Sequence, residues 1–182
     1  MCMKRSRSPA GSARGLRRLV LTTVLLASTT VLGATPEAQQ LPKSGKFTGK
    51  YASHLVPEVS QTYELEKGHI YYLGKSQGLF FNDVADGFLD KTEVICAIAN
   101  DLVDGVSTEI NGHCITTDKD GDKIFTVYEG KGSAPGIIAG TNQWTGGTGK
   151  FTGIQGNNTF HVTAIGKTLA SWIVWEGEWR LP

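Results

Sequence analysis

The sequence contains no stretch with the periodicity of an amphipathic helix. No window of about 11 residues or more repeats apolar side chains every 3.6 positions. The chain also carries 23 glycines, and an interior glycine weakens a helix by about 1 kcal/mol relative to alanine. The missing helical pattern excludes helical bundles and mixed α/β folds.

The sequence also lacks the residue spacings that accompany metal and phosphate binding. Its four histidines have no second histidine, cysteine or carboxylate at a recognised metal-ligand spacing. A phosphate-binding loop needs a glycine five residues before its Gly-Lys pair and a serine or threonine after it. Around the Gly-Lys pair at 149–150, these positions hold Trp144 and Phe151. We therefore predict neither a metal site nor a cofactor.

Acidic residues are absent from the first 34 positions, although the chain has 17 of them. Six of the 18 lysines and arginines lie there, ahead of an apolar run at 19–32 and the small residues Gly33 and Ala34. This order predicts a signal peptide over residues 1–34. The apolar run is shorter than the ~20 residues of a membrane span. We therefore favour cleavage over an N-terminal anchor, and expect no stable membrane insertion after cleavage.

The chain that follows the predicted signal peptide is mildly acidic. Removing six basic residues from 18 leaves 12 against 17 acidic ones. Nucleic-acid binding draws much of its affinity from lysine and arginine contacts to phosphate, so we expect no nucleic-acid partner. We expect an exported protein, periplasmic or secreted, with a flexible lead-in at 35–46 and one domain over residues 47–182.

Short segments that alternate polar and apolar residues fill this domain. They predict an all-β fold, a single antiparallel up-and-down β-barrel of about eight strands, with a two-sheet sandwich as the alternative. Glycine-containing pairs and clusters predict turns at 67–68, 86–87, 104–105, 120–121 and 131–135. The predicted strands are 47–54, 61–66, 70–73, 79–82, 93–99, 106–116, 124–129, 137–141, 159–165 and 169–180.

Two cysteines, Cys96 and Cys114, lie after the predicted signal peptide. Each stands on the more apolar face of a predicted strand, and export favours disulfide formation. A turn at Asp104-Gly105 would place Cys96 opposite residue 113, and one bulge residue would bring Cys114 opposite it. We predict a Cys96–Cys114 disulfide, with two buried free thiols as the alternative.

The final predicted strand alternates between an apolar and a charged face. Trp175 and Trp179 lie on the apolar face, a pattern typical of a barrel wall whose interior is filled or holds a ligand. In an earlier predicted strand, Tyr128 and Glu129 lie on opposite faces, so at most one of these two side chains points inward. An interior filled by aromatic side chains is the alternative to a small apolar pocket. The candidate ligand-binding residues are Tyr72, Phe81, Phe125, Glu129, Trp175 and Trp179.

Residues 118–129 carry acidic side chains at several calcium-binding positions of an EF-hand loop. Lys123, however, stands where the loop needs glycine, and the flanking residues alternate like strands rather than helices. We interpret the segment as a hairpin with Asp120-Gly121 at its tip. A weak calcium site of another kind at this turn is the alternative.

The segment from Gly146 to Phe160 interleaves five glycines with apolar residues, as a strand bent through bulges and tight turns can. It resembles the glycine-rich signature of the allene oxide cyclase-like barrels. The aspartates of 118–122 and the closing segment Trp175–Trp179 are similar to features of exported bacterial members of that group. The resemblance covers roughly residues 60–182 and implies an eight-stranded antiparallel barrel, related in shape to lipocalins and dirigent proteins.

The resemblance also frames the functional hypotheses. Some members of the group are cyclases or isomerases that act on oxygenated lipids or polyketides, but no catalytic residue of the group matches a position in this chain. Our first hypothesis is an exported barrel that binds a small hydrophobic or oxygenated ligand. The second is a cyclase or isomerase working inside the barrel, and the third is a structural or interaction module without a ligand.

Overall fold

The described part of the protein consists almost entirely of β-strands. The computed structural model describes residues 41–182, so the predicted signal peptide (1–34) and the first part of the predicted lead-in (35–46) lie outside the described residues. Within 41–182, no helix has the length and apolar character needed to cross a membrane. The strands are β1 (Ser44–Leu55), β2 (Gln61–Glu66), β3 (His69–Asn82), β4 (Thr92–Val103), β5 (Val106–Thr117), β6 (Lys123–Ala134), β7 (Ile137–Gly147), β8 (Gln155–Ala164) and β9 (Ala170–Arg180).

Eight of these strands close into an antiparallel barrel. From β3 to β9, each strand pairs with the next along the chain, and β1 closes the circle by pairing with both β9 and β3. β2 pairs with the first part of β3, from His69 to Leu73, and is not part of the closed circle. This topology confirms the predicted all-β, up-and-down barrel.

Two strands are longer than their sequence patterns predict. β3 joins the predicted strands 70–73 and 79–82, because the residues between Gly74 and Gly78 stay extended and paired with β4. β6 continues through most of the predicted turn at 131–135, and the chain reverses at Pro135-Gly136 instead. Pairing with β4 holds the added part of β3, and pairing with β7 holds the added part of β6. Tertiary context of this kind outweighs the low strand propensity of glycine.

The β4–β5 hairpin carries both cysteines and confirms the predicted disulfide. Its turn lies at Asp104-Gly105, and a register shift between Asp101 and Leu102 brings Cys96 directly opposite Cys114. The two sulfur atoms are bonded, and the Cα atoms of the pair lie 4.0 Å apart. The bulge that the sequence required is therefore present, near the hairpin turn.

Aromatic side chains fill one half of the barrel interior. Phe88, from the β3–β4 loop, inserts between Trp144 and Trp179, with its ring centroid 5.3 and 4.5 Å from theirs. Phe151 packs edge-on against Phe88 at 6.1 Å. All four side chains are at most 6% exposed. In this half, the barrel has the interior filled by aromatic side chains that the sequence analysis gives as the alternative to a pocket.

The glycine-rich segment forms the turn at this filled end. β7 ends at Gly147, a short 3-10 turn spans Gly149–Phe151, and β8 begins at Gln155. Gly149 and Gly153 have φ values of +51° and +76°, a backbone conformation that favours glycine. The predicted bend is therefore a tight connection that carries the Phe151 ring into the interior.

Candidate ligand cavity

The other half of the barrel interior is hollow. A cavity of about 370 Å³ is bounded by Tyr51 and Trp175 inside the barrel and reaches the strand ends at Leu55 and Ala164. Aliphatic and aromatic residues form most of the wall. Its polar residues are three tyrosines, three serines and two asparagines, and no charged residue lines the wall within the described chain.

Two of the predicted ligand-binding residues line this cavity. Trp175 stacks on Phe80 at 5.1 Å and lies 5.5 Å from the ring of Tyr51, so its indole forms part of the wall between the filled half and the cavity. Tyr72 lines the cavity from β3. Trp179 points inward as expected, but it stacks on Phe88 in the filled half and does not line the cavity.

The other three candidates lie on the outer face of the barrel, contrary to the sequence-based expectation. Phe81 is 43% exposed and Phe125 is 37% exposed, and Glu129 is exposed beside the inward-facing Tyr128. Side chains alternate between the faces of a strand, and the even-numbered residues of β3 and β6 face the interior. Odd-numbered residues of these strands therefore cannot line the cavity.

The three cavity tyrosines donate their hydroxyl protons to groups of the protein. Tyr128 donates to the carbonyl oxygen of Ala97 at 3.0 Å, and Tyr51 donates to that of Val94 at 3.2 Å. The Tyr72 hydroxyl lies 2.8 Å from Ser60 Oγ, whose own proton goes to the Val56 carbonyl. Tyr72 is therefore the donor in its contact with Ser60.

Burial raises the pKa values of two of these tyrosines. It raises the pKa of Tyr51 to about 12, against hydrogen bonds with Ser76 and Ser53 that act to lower it. Burial also raises the pKa of Tyr128, and the neighbouring Tyr51 and Tyr72 add to the increase. This effect on Tyr128 reflects the proximity of the three phenols in one cavity.

Glycines make room for two of the tyrosine rings. A β-carbon at Gly74 would lie 2.1 Å from the Tyr72 hydroxyl oxygen, and one at Gly112 would lie 2.7 Å from that of Tyr128. Both rings therefore lie over backbone that has no side chain. These two glycine–tyrosine pairs therefore help to shape the cavity wall.

The sequence-based prediction missed two asparagines in the cavity wall. Asn100 stands opposite Tyr72 across β3 and β4, and Asn142 stands opposite Tyr128 across β6 and β7. Both line the cavity. Among the described residues, the buried Oδ1 of Asn100 has no hydrogen-bond partner. The signal that could have found Asn100 is its even-numbered position, shared with Cys96 and Ile98 on one strand face.

Ser76 lies in a sequence pattern that is typical of a catalytic serine, but the structure lacks the turn that this pattern requires. Residues 74–78 have the Gly-x-Ser-x-Gly spacing of a nucleophile elbow, which requires a sharp turn between a strand and a helix. Here the segment is extended within β3, and Ser76 Oγ lies 3.4 Å from the Tyr51 hydroxyl. Ser76 is thus a neutral wall residue of the cavity.

The acidic segment at 118–122 forms the expected hairpin turn. The Gly121 N–H donates to the Asp118 carbonyl at 3.0 Å, and Asp118 Oδ1 accepts the N–H groups of Asp120 and Asp122. The Lys150 ammonium forms ion pairs with Asp118 and Asp120. The Lys150 side chain thus neutralises two carboxylates of the turn that a calcium ion would need as ligands. Within residues 41–182, no cluster of three or more histidine, cysteine, aspartate or glutamate side chains could hold a metal ion.

Among solved structures, the chain is similar to one described as the pterocarpan synthase dirigent protein GePTS1. The two chains share 8% sequence identity over 85% of this chain and 100% of the other, with a TM-score of 0.43. The chain matches no protein-family model, and no curated protein matches its sequence.

Proposed function

We propose that the protein binds a small, uncharged and largely apolar molecule in the hollow half of the barrel. The observation that carries this proposal is the cavity of about 370 Å³, which has an apolar wall with a few neutral polar groups. Small-molecule sites are commonly clefts of about 300–1,000 Å³ with this composition. Burial of a charged group without a partner is costly, so the wall favours a neutral ligand.

The chemistry of the wall supports binding better than catalysis. Burial raises the pKa values of Tyr51 and Tyr128 above that of an ordinary phenol, which makes both poorer general bases at neutral pH. The cavity wall has no carboxylate or imidazole in the described chain. A cyclase or isomerase in this cavity would have to work through confinement and orientation of its substrate. A structural module without a ligand would not require a cavity in its interior, so the hollow half favours ligand binding over this alternative.

Titration with N-phenyl-1-naphthylamine, a neutral fluorescent probe, tests the proposal. We expect its emission to rise on addition of folded wild-type protein and the binding to saturate. Trp175→Phe should weaken binding several-fold, because the indole is part of the cavity wall. The matched control is Trp179→Phe, on the same face of the same strand but stacked on Phe88 in the filled half. This control should bind as the wild type does.

Two results would count against ligand binding. Folded wild-type protein that binds no probe would leave a structural barrel as the better account. Equal loss of binding in both tryptophan variants would locate the probe outside the cavity. Native mass spectrometry of protein purified from its own host then extends a positive result, because a co-purifying molecule would identify the natural ligand.

We also propose that the protein is exported to an oxidising compartment. The Cys96–Cys114 disulfide supports this, because disulfides persist mainly in secreted and periplasmic proteins. The basic and apolar order of residues 1–34 supplies the signal for export. N-terminal sequencing of exported material should find a first residue near Ala34 or Thr35, and retention of Met1 would contradict cleavage.

A further inference from the structure

The three tyrosine hydroxyls of the cavity wall offer a ligand hydrogen-bond acceptors rather than donors. The hydroxyl protons of Tyr51 and Tyr128 are directed to backbone carbonyl oxygens, and that of Tyr72 is directed to Ser60. Each phenol therefore has only lone pairs left for a ligand. The tyrosines, which usually donate hydrogen bonds to ligands, act in this cavity as acceptors.

Asn100 adds an acceptor that is not satisfied. It lines the cavity, and its buried Oδ1 has no hydrogen-bond partner in the described part of the chain. A buried acceptor without a partner costs about 1–3 kcal/mol, and native proteins leave few such atoms. Asn158 has a second unpartnered Oδ1, but Asn158 does not line the cavity, so of these two residues only Asn100 belongs to the cavity wall.

Asn100 lies in the part of the cavity wall that is nearest the β4–β5 turn. Its neighbours across the sheet are Tyr72 on β3 and Ile110 on β5. The next inward residue toward the hairpin turn is Leu102, which also lines the cavity. An apolar ring or chain can contact Ile110 and Leu102 while a polar substituent reaches the carboxamide.

We infer that the cavity selects neutral ligands carrying an O–H or N–H group that donates a hydrogen bond to the carboxamide oxygen of Asn100. This inference rests on the proposed function, since it specifies which molecules the cavity binds. Alcohols, phenols and secondary amides meet the requirement. Ethers, esters and hydrocarbons of the same size do not, because they bring no donor to Oδ1.

Matched naphthalene probes test the donor requirement in the wild-type protein. Isothermal titration calorimetry should show 2-naphthol binding about tenfold more tightly than 2-methoxynaphthalene, which keeps the ring and the oxygen but lacks the donor. In Asn100→Leu the preference should fall to about twofold or less. Ile115→Leu changes a residue of β5 that is 42% exposed on the outer face, and it should keep the wild-type preference.

The outcomes separate this inference from the proposed function. Equal binding of the two naphthalenes, with N-phenyl-1-naphthylamine still bound, overturns the donor requirement and leaves the cavity as a binding site. Binding of none of the three probes overturns both proposals. If Asn100→Leu does not fold, the side-chain amide NMR signals of Asn100 in the wild type decide. They should shift more with 2-naphthol than with 2-methoxynaphthalene, and equal shifts contradict the inference.

Discussion

At Gly74, the three atoms closest to an added β-carbon all belong to the Tyr72 side chain, at 2.1 to 2.6 Å. The contact differs from the one at Gly112, where the β-carbon would also lie 2.0 Å from the carbonyl oxygen of Ala97. At Gly74 the closest clashes of a β-carbon would therefore be with one movable ring. At Gly112 the β-carbon would also clash with fixed backbone. The two glycines can be distinguished by mutation.

Gly74→Ala should destabilise the protein by about 1–3 kcal/mol, the usual cost of overpacking, and should narrow the cavity by displacing the Tyr72 ring. In a Tyr72→Val background the same change should cost nearly nothing, because the clashing atoms are gone. Urea unfolding of the two single variants and the double variant measures the coupling. Additive free energies of unfolding would show that the alanine does not meet Tyr72.

The residue scale also shows where sequence reasoning succeeds. The strong alternation of apolar and charged side chains along their strand predicts that Trp175 and Trp179 face the interior, and both do. Hydrophobicity alone favours the interior for Phe81 and Phe125, but both are exposed. Asn100 gives no hydrophobic signal, because it is a polar side chain on an inward face. Strand register, which is set by distant partners, decides all three cases.

At the scale of elements, local patterns predicted hairpins better than strand lengths. The β4–β5 register followed from one turn, two cysteines and a bulge, all within a short stretch of chain. The length of β3 could not follow from its own residues. Its first part pairs with β2 and its second part with β1, so partners on either side of the break keep Gly74–Gly78 extended.

The disulfide should contribute about 3 kcal/mol to stability, given a sequence separation of 18 residues. Replacing both Cys96 and Cys114 by alanine should lower the free energy of unfolding by about that amount, as should reduction of the wild type. Chemical denaturation measures the difference. Peptide mapping after thiol labelling of unfolded, unreduced protein serves as the control, and modification of Cys96 or Cys114 would contradict the bond.

The aspartate turn should make stability depend on pH in acid. Hydrogen bonds from Lys150 and then Lys119 lower the pKa of Asp120 to about 2, below the ~3.9 of an unfolded aspartate. This contribution is fully present above about pH 5 and is lost as the pH falls toward 2. Lys150→Met should therefore flatten the fall in melting temperature between pH 5 and pH 2.

The matched control for this pH effect is Lys131→Met, which removes an exposed lysine from β6 and changes the net charge equally. Its melting temperature should fall with pH as steeply as that of the wild type. Parallel curves for the wild type and Lys150→Met would show that the ion pairs of the turn do not contribute in solution.

At the scale of the whole molecule, the barrel is divided into a filled half and a hollow half. The fold class was predictable because alternation and turn signals recur along the whole chain. The division was not, because it depends on Phe88 and Leu89, loop residues that are each only 5% exposed. A loop sequence without strand alternation gives no sign that its side chains fill a barrel.

Phe88→Ala should destabilise the whole barrel by about 3–5 kcal/mol, because a buried aromatic side chain leaves a cavity when it is removed. Phe81→Ala is the control, since that ring is 43% exposed on the outer face and should cost less than about 1 kcal/mol. Urea denaturation compares the two. Similar losses would mean that Phe88 does not hold the filled half together.

The position of β9 has a consequence for the order in which the chain can fold. β9 lies between β8 and β1, so its residues complete both ladders, with Arg180 paired to Ser44 and to Gln155. A nascent chain without β9 has a sheet with two open edges, and contacts between such distant parts of a chain form slowly. The barrel therefore cannot close before β9 has been synthesised. Until then the free edges of β1 and β8 remain open to pairing with other strands.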